Sequence, residues 1–254
     1  MRRPRIHQAV PLASGRQIEL DAQATAHLTR VLRLRAGDAL VVFNGDGDGE
    51  YAARVLEIGR RAARIEIGEF SPGGPESPLE LVLVQGISRG ERMDYTVQKA
   101  VELGVSRIVP VLTERTVVNL KGDRAARRRE HWQAVVNSAC EQSGRNRVPA
   151  VAEPLRLTDC LASCESSPRD GLRLVLHHRA GAGLAGMSPP AGPVTLLVGP
   201  EGGLSGAEIA SAEQAGFRPL RLGPRVLRTE TAAVAGLAVL QWLWGDFPAP
   251  GGDV

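Results

Sequence analysis

The spacing of hydrophobic residues changes along the chain and divides it into two parts. Up to about residue 70, short apolar runs are separated by turns rich in glycine and aspartate, such as 45–49. This pattern predicts strands over 38–44, 51–58 and 61–67 and one helix over about 22–32. Several short strands at this spacing favour a small β-barrel.

Beyond about residue 79, apolar strands alternate with helices. The runs 172–176 and 194–198 are continuous apolar strands, which is typical of a parallel sheet covered on both faces. The predicted strands are 79–86, 105–112, 172–176, 194–198 and 219–222, and the predicted helices are 93–104, 123–143, 205–215 and 229–244. Ser205 and Glu208 predict a capping box at the start of the helix 205–215. The fold class is therefore α/β.

The segment 71–78 separates the two parts. Its eight residues include three prolines and two glycines, a composition that neither a helix nor a central strand accommodates. We therefore predict a small N-terminal domain over 1–70, a linker over 71–78 and a larger domain over 79–247. The Pro/Gly-rich residues 248–254 are predicted to form a flexible tail.

The last predicted helix, 229–244, carries apolar residues on every side. A helix without a polar face is buried all around. It could be a central core helix, or one of its faces could pack against a second copy of the chain. For a domain of this size the pattern slightly favours the second copy.

The composition excludes several classes of protein. The 254 residues suffice for one or two domains, and 43% hydrophobic with 23% charged residues excludes a wholly disordered chain. Three cysteines without a C-x-x-C spacing support neither a disulfide framework nor a zinc ribbon. The N-terminal residues lack the apolar region of a secretory signal, and no apolar run is long enough to span a membrane. We therefore expect a cytoplasmic protein without a membrane partner.

Positive charge is concentrated in three segments of a chain whose net charge is only +3. Residues 1–35 contain seven arginines and two acids, residues 121–147 seven basic residues and three acids, and residues 218–228 four arginines and no acid. This distribution indicates a polyanionic partner such as nucleic acid. Each segment taken alone could equally be a solvated helix face.

Two glycine-containing loops follow predicted strands, where open α/β sheets bind their ligands. The first, 199–203, reads Gly-Pro-Glu-Gly-Gly, and the second begins at Gly223 and leads through Arg225 and Arg228 to Thr229, a candidate N-cap. Neither loop contains a Walker A or G-x-G-x-x-G pattern, so phosphoryl transfer and a Rossmann dinucleotide site have no support. His177 and His178 lack further ligands at suitable spacing, so no metal is expected.

Together, these motifs resemble the SPOUT methyltransferases, and more narrowly the ribosomal RNA small subunit methyltransferase E family. The resemblance spans nearly the whole chain, and its motifs are specific in combination rather than singly. They are His27 with 31–33, then 88–92, 98–104, 114–115, 139–147, 199–203 and 222–231.

The resemblance implies a C-terminal SPOUT-like, trefoil-knotted α/β domain and a small N-terminal PUA-like β-barrel domain. It also implies a homodimer, in agreement with the apolar last helix. S-adenosylmethionine would bind in the knot, at the loops that follow three strands. The cofactor-binding residues implied are Leu176, His177, Leu197, Gly199, Pro200, Glu201, Gly202, Gly203, Leu222, Gly223, Pro224, Arg225, Val226 and Leu227.

The activity implied is methylation of N3 of a uridine in the decoding region of 16S rRNA, within the small ribosomal subunit and not on DNA. The residues expected to contact this RNA are Arg2, Arg3, Arg5, His27, Arg30, Arg33, Arg89, Arg92, Arg145 and Arg147. Two alternatives remain open: a SPOUT enzyme acting on another RNA, and a non-catalytic RNA-binding assembly factor. The pair of strand-end loops favours an enzyme, because a binding protein would not require them.

The chemistry of N3 methylation requires few protein groups. A sulfonium methyl is already electrophilic, so the protein must position N3 and accommodate the loss of its proton. We expect Arg228, and secondarily Arg225, to stabilise negative charge on the uracil carbonyls. Glu201 or Glu230 could accept the proton. Glu201 could instead be a turn carboxylate that orients its loop, and direct loss of the proton to water needs no base.

Overall fold

The computed structural model describes residues 3–47, 49–59, 62–118, 120, 122–165, 171–181, 183–184 and 187–247. Arg2 and the predicted tail 248–254 lie outside the described residues. The chain divides into two compact units, one formed by Met1–Glu76 with Asn137–Val148 and the other by Ser77–Val136 with Pro149–Val254. The sequence did not indicate that 137–148 joins the N-terminal residues.

The first unit is built on a five-stranded sheet with the strand order β1-β3-β4-β5-β2. Its strands are β1 (Arg5–His7), β2 (Gln17–Glu19), β3 (Ala39–Phe43), β4 (Gly49–Ile58) and β5 (Ala63–Pro72). Strand β1 is parallel to β3, and the other pairings are antiparallel. In β5, Ala63, Ile65 and Ile67 are buried and the residues between them are exposed, which is the predicted two-residue period.

Helix α1 (Ala22–Ala26) and a π-helical turn (His27–Val31) cover one part of this unit. The Asp21 side chain caps α1 by accepting a hydrogen bond from the Ala24 N–H at 2.7 Å. Leu28 is fully buried in the same hydrophobic cluster as Leu40 and Ile65. The turn therefore rests on the core while Arg30 remains exposed.

Two arginines predicted to contact RNA are instead part of the interior of this unit. Arg5 is 7% exposed and Arg145 is 4% exposed. Arg5 pairs with Glu50 and donates to Asn146 Oδ1 at 2.7 Å, and Arg145 donates to Glu76 Oε2 at 2.7 Å. Both predictions are corrected, because a guanidinium group buried against a carboxylate is not available to a phosphate.

The second unit is built on a parallel sheet with the strand order β12-β10-β11-β6-β7-β8, and β9 also pairs with β7. The strands are β6 (Leu81–Gly86), β7 (Arg107–Leu112), β8 (Ala150–Val151), β9 (Leu155–Arg156), β10 (Leu172–Leu176), β11 (Val194–Val198) and β12 (Arg218–Leu220). The helices are α2 (Glu91–Glu102), α3 (Arg124–Ser143), α4 (Leu157–Glu165), α5 (Gly206–Gln214) and α6 (Thr229–Trp244), and the residues of α3 from Asn137 onward belong to the first unit. The predicted parallel α/β sheet is confirmed.

The two faces of this sheet have separate partners. Val84 and Leu197 lie in a buried cluster with residues of α4 and α5, among them Leu161 and Ile209. Leu196 precedes Leu197 in β11, so its side chain points to the opposite face of the sheet. There it lies against α6, since a Cβ atom added to Gly236 would be 2.8 Å from Leu196 Cδ2. Burial on both faces explains why β10 and β11 read as apolar runs.

The structure adds five elements that the hydrophobic pattern did not predict: β1, β2, β8, β9 and α4. The four strands have only two or three residues each, which is too short to show a period. Strand β5 also runs to Pro72, two residues into the segment predicted as a linker. Pro72 is tolerated there because it is the last residue of the strand.

Helix α6 is not buried on all sides within one chain. Ala233, Leu237 and Leu240 face the sheet side and are fully buried, whereas Trp242 is 62% exposed and Leu243 44% exposed. The helix also contains a buried polar residue, Gln241, which accepts a hydrogen bond from Ser77 Oγ and donates one to the Leu103 carbonyl. Among the described residues, no helix combines the length and apolar character needed to cross a bilayer.

Candidate functional site at the strand ends of the parallel sheet

The carboxyl ends of β10, β11 and β12 lie at one edge of the sheet, and a cavity of about 470 Å³ opens there. It is lined by most of the residues predicted to bind the cofactor and to act in catalysis. These are Leu176, His177, Gly199, Pro200, Glu201, Gly202, Gly203, Leu222, Gly223, Arg225, Val226, Leu227, Arg228 and Glu230. The structure thus brings the two strand-end loops together at one cavity.

Two predicted cofactor residues are not among those lining the cavity. Leu197 is fully buried in the hydrophobic cluster with α4 and α5, because its position in β11 points its side chain into that face of the sheet. Its side chain is therefore directed away from the cavity. Pro224 is exposed and belongs to the second loop, but it does not line the cavity.

The first loop, 199–203, passes very close to strand β6. A Cβ atom added to Gly86 would lie 2.5 Å from Pro200 Cδ, and one added to Gly199 would lie 2.9 Å from the Gly203 backbone. The loop closes on itself through a 2.8 Å bond from the Gly203 N–H to the Pro200 carbonyl, with Gly203 at a φ of 68°. A side chain at Gly86 or Gly199 would displace the loop, and the positive φ of Gly203 favours glycine there.

The Gly199 carbonyl is held by side chains from two other elements. Thr229 Oγ1 donates to it at 2.6 Å, and Gln85 Nε2 donates to it at 3.4 Å and to Thr229 Oγ1 at 3.1 Å. The sequence predicted Thr229 as the N-cap of α6, and this prediction is wrong. Arg228 occupies the N-cap position, and its side chain makes no capping bond. Thr229 instead links the start of α6 to the first loop.

Sequence reasoning missed Gln85, although a signal was present. Gln85 is a polar residue near the end of the otherwise apolar strand β6, and it is fully buried. A buried amide is costly unless it is hydrogen-bonded, so such a residue in a core strand indicates a specific partner. Here the partners are the Gly86 carbonyl at 2.9 Å and the Thr229–Gly199 pair.

Glu201 is engaged by the residues that follow β6. Its Oε1 accepts a hydrogen bond from the Arg89 N–H at 2.8 Å and pairs with Arg92 Nη1 at 3.3 Å. Partial burial acts to raise the pKa of this carboxyl, but the bonds from the Arg89 N–H, from its own N–H and from Arg92 outweigh burial and lower it. Glu201 is thus a stable anion that orients its loop, and its lowered pKa makes it a weak proton acceptor.

The loop after β7 holds the other side of the first loop. Arg115 Nη1 donates to the Gly202 carbonyl at 2.8 Å, and Arg115 also lines the cavity.

The predicted capping box is confirmed, with Ser205 Oγ accepting from the Glu208 N–H and Glu208 Oε2 accepting from the Ser205 N–H. Glu208 Oε1 also accepts from the Glu114 N–H at 2.8 Å. One carboxylate therefore joins this loop to α5.

The cavity wall is strongly cationic. Five arginines and two carboxylates line it. The arginines are Arg92, Arg115, Arg221, Arg225 and Arg228, and the carboxylates are those of Glu201 and Glu230. An excess of positive charge around a concave surface attracts an anionic ligand such as a nucleic acid strand. Among the described residues, no group of three or more His, Cys, Asp and Glu side chains is placed to hold a metal ion.

Glu230 differs from Glu201 in having an open position. Its Oε2 is buried and has no hydrogen-bond partner among the described residues. A buried acceptor without a partner costs free energy unless a ligand supplies a donor. Glu230 also lines the cavity, so one acceptor of this wall residue is engaged by no described residue.

The remaining residues predicted to bind RNA lie in two separate places. Arg3, Arg30, Arg33 and Arg147 are exposed on the first unit, and Arg89 and Arg92 are exposed on the second, beside Glu201. His27 is half-buried and lies 3.6 Å from Glu141 Oε2. Arg33 has a φ of 57°, a backbone conformation that residues other than glycine rarely adopt.

Comparison with known proteins matches both units. The sequence model of an RNA methyltransferase domain covers residues 75–241, and that of an RNA methyltransferase PUA domain covers residues 20–68. A ribosomal RNA small subunit methyltransferase E from Buchnera aphidicola subsp. Schizaphis graminum is 35% identical, over 96% of this chain and 97% of its own length.

Two solved structures are similar over nearly the full chain. The ribosomal RNA small subunit methyltransferase E of Neisseria gonorrhoeae, bound to S-adenosyl methionine, is 40% identical with a TM-score of 0.88, covering 96% of this chain and 99% of its own. A protein of Legionella pneumophila, in complex with bound S-adenosylmethionine, is 38% identical with a TM-score of 0.92, covering 97% and 100%.

The Thr229 hydroxyl provides a test of how the first loop is held. Thr229→Val keeps the shape of the side chain but removes the donor to the Gly199 carbonyl and the acceptor for Gln85. We expect the free energy of unfolding to fall by about 1–3 kcal/mol, because buried polar groups lose their partners. Thr229→Ser retains the hydroxyl and is expected to lose less than half as much. Urea denaturation measures both, and equal stability of the two variants would contradict the assigned bonds.

Proposed function

Since the chain belongs to the ribosomal RNA small subunit methyltransferase E family, we propose that it methylates small-subunit ribosomal RNA with S-adenosylmethionine as the methyl donor. The target proposed is N3 of a uridine in the decoding region of 16S rRNA. The observation that carries the proposal is the cavity where the loops after β10, β11 and β12 meet. Two relatives of the same fold are solved with S-adenosylmethionine bound.

The residues present fit such a cofactor. Gly86 and Gly199 let the first loop approach so closely that a Cβ atom at either position would clash, and Glu230 offers a buried acceptor without a protein partner. We expect the cofactor to contact the 199–203 and 222–227 loops together with Leu176 and His177. When bound, S-adenosylmethionine supplies an electrophilic methyl group on a sulfonium.

The residues of the chain supply position and charge. As the bond between N3 and the methyl carbon forms, the bond from that carbon to sulfur breaks and the N3 proton must leave. Holding two reactants in line can supply about 7–11 kcal/mol of the barrier. Arg228 lines the cavity at the N-terminus of α6, where it and the helix N–H groups favour negative charge on the uracil carbonyls. Arg225, on the same wall, is the second candidate.

For the proton we favour Glu230 over Glu201. Glu201 is the weaker base of the two, because the hydrogen bonds from the Arg89 N–H and Arg92 to its Oε1 help to lower its pKa. Glu230 Oε2 has no such partner among the described residues. Glu201 then acts as a positioning residue for its loop, and release of the proton to water is the alternative that the Glu230 variants test.

RNA binding is assigned to both units. The first unit, which contains the predicted PUA-like domain over 1–70, would contact phosphates through Arg3, Arg30 and Arg33, with His27 and Arg147 nearby in the same unit. The second, with the predicted methyltransferase domain over 79–247, would use Arg89 and Arg92. Phosphate contacts of this kind fix position without reading bases. The trefoil knot implied by the resemblance stays a prediction. An activity on ribosomal RNA supports the expected cytoplasmic location.

Methyl transfer tests the proposal directly. We expect the protein to transfer a labelled methyl group from S-adenosylmethionine to small ribosomal subunits prepared from cells lacking the enzyme, and mapping the modified base should give a single N3-methyluridine in the decoding region. Calorimetry with S-adenosylhomocysteine should show binding. Label on a different RNA would favour the other SPOUT substrate class, and no cofactor binding at millimolar concentration would favour a non-catalytic binding factor.

The role of Glu230 predicts a specific kinetic result. Glu230→Gln should lower kcat by about 10²–10⁴-fold, the usual contribution of a general base. Glu201→Gln should mainly raise the KM for S-adenosylmethionine, and Glu213→Gln, an exposed glutamate of α5, serves as control. Unchanged kcat in Glu230→Gln would show that the proton leaves without a carboxylate.

A homodimer is proposed from the apolar face of α6, where Val239, Trp242 and Leu243 are exposed in the single chain. A charge on this face, Val239→Glu, would be buried without a partner in a dimer and should dissociate it at a cost of several kcal/mol. Because Val239 is 37% exposed, the variant chain should still fold, as circular dichroism would show. Val117→Glu, at another exposed valine, is the control. A wild-type protein that light scattering finds monomeric at micromolar concentration, yet fully active, would contradict the proposal.

A further inference from the structure

We propose that three arginines on the first turns of α3 form a phosphate-binding surface for the ribosomal RNA substrate. The arginine stripe consists of Arg124, Arg127 and Arg128, all exposed on the second unit. It was not among the residues predicted to contact RNA, although it lies in the basic segment 121–147. The inference rests on the proposed function and adds to it a contact surface on the unit that carries the cavity.

The spacing of the stripe places the three side chains on one face. Residues at i, i+3 and i+4 are neighbours on a helix surface, and Arg124 and Arg128 are separated by about 6 Å along the axis. The buried side of the same helix, with Trp132 and Val136, borders the stripe at Arg128, because Trp132 follows Arg128 by four positions. All three arginines are exposed, so the stripe faces solvent along about one turn of the helix.

The other cations of this helix have partners, and the stripe does not. Arg129 pairs with Glu153 at 3.3 Å and donates to the Val151 carbonyl, and His131 lies 2.9 Å from Asp94 Oδ2. Arg145, farther along the basic segment, is buried against Glu76. In the described parts of the chain, no ion pair is found for Arg124, Arg127 or Arg128.

Acids on the same helix do not neutralise the stripe. Asp123 precedes Arg127 by four positions, a spacing that allows contact across a helix face, but Asp123 is exposed and makes no ion pair among the described residues. Glu130 lies three residues after Arg127, but it is exposed and makes no ion pair among the described residues. The stripe keeps most of its positive charge.

The charge of the stripe is unfavourable for the helix itself. The first turn of α3 contains no acid and begins with Arg124, whereas the positive end of the helix dipole favours acids there. The pairs Arg124–Arg127 and Arg124–Arg128 also place like charges at repelling distances. An anion bound at the stripe would remove both penalties, and guanidinium groups match the oxygens of phosphate.

The salt dependence of RNA binding tests the stripe. In Arg124→Gln/Arg127→Gln/Arg128→Gln, we expect weaker binding to transcribed 16S rRNA and a slope of log K against log salt that is shallower by about 2 to 3, one phosphate being lost for each arginine. The control triple neutralises three other exposed arginines of the same unit, Arg107, Arg156 and Arg218. It loses the same net charge, and its slope should change by less than half as much.

Replacement of the stripe by glutamate should separate binding from stability. Arg124→Glu/Arg127→Glu/Arg128→Glu puts acids at the positive end of α3, so the Tm is expected to rise or stay level while rRNA affinity falls more than tenfold. Calorimetric affinity for S-adenosylhomocysteine should be unchanged. A stripe that only supported the fold would show the opposite, a lower Tm together with the lost binding.

Each outcome has a defined meaning. If the wild-type protein itself fails to bind rRNA, the proposed function fails before the stripe is tested. If the wild type binds and the glutamine triple matches its affinity and slope at every salt concentration, the inference is overturned. It is also overturned if the control triple loses as much as the stripe triple, because the effect would then be one of net charge alone.

Discussion

The hydrogen bonds to the Gly199 carbonyl are the contact on which the site depends. Thr229 Oγ1 and Gln85 Nε2 both donate to this oxygen, so the end of β11, the end of β6 and the first residue of α6 meet at one point. The loop that follows Gly199 and the loop that precedes Thr229 form opposite walls of the cavity. Fixing this single oxygen therefore fixes the two walls relative to each other.

The carboxylates of this region differ in whether they hold a loop in place. Glu201 is bonded to Arg92 and to the Arg89 N–H, and Glu208 bonds backbone N–H groups of two elements, so both hold loops in place. Glu230 keeps an oxygen without a partner in the described structure. Two acids that look alike in the sequence, Glu201 and Glu230, thus receive different roles from their neighbours.

The arginines also fall into two groups, one buried and paired with carboxylates and the other exposed. Arg5 and Arg145 are buried and bonded to Glu50 and Glu76, where they hold the 137–148 segment within the first unit. Arg225 and Arg228 at the cavity and the arginine stripe of α3 are instead exposed and make no ion pair among the described residues. Breaking a buried pair of this kind leaves an unpaired charge in the interior, so such arginines stabilise the fold rather than bind a partner.

The sequence by itself determined the parallel α/β sheet, the strands β10 and β11, the helix α6 and the pair of strand-end loops, because periodicity, glycine and capping residues act locally. The motifs also identified the family. Only the tertiary structure decided which charged residues are available: whether Arg5 faces a phosphate or Glu50, and whether Glu201 or Glu230 is bonded to an arginine, depends on residues distant along the chain. Likewise, Gln85 and Thr229 became functional candidates only when folding placed them, 144 residues apart, within 3.1 Å.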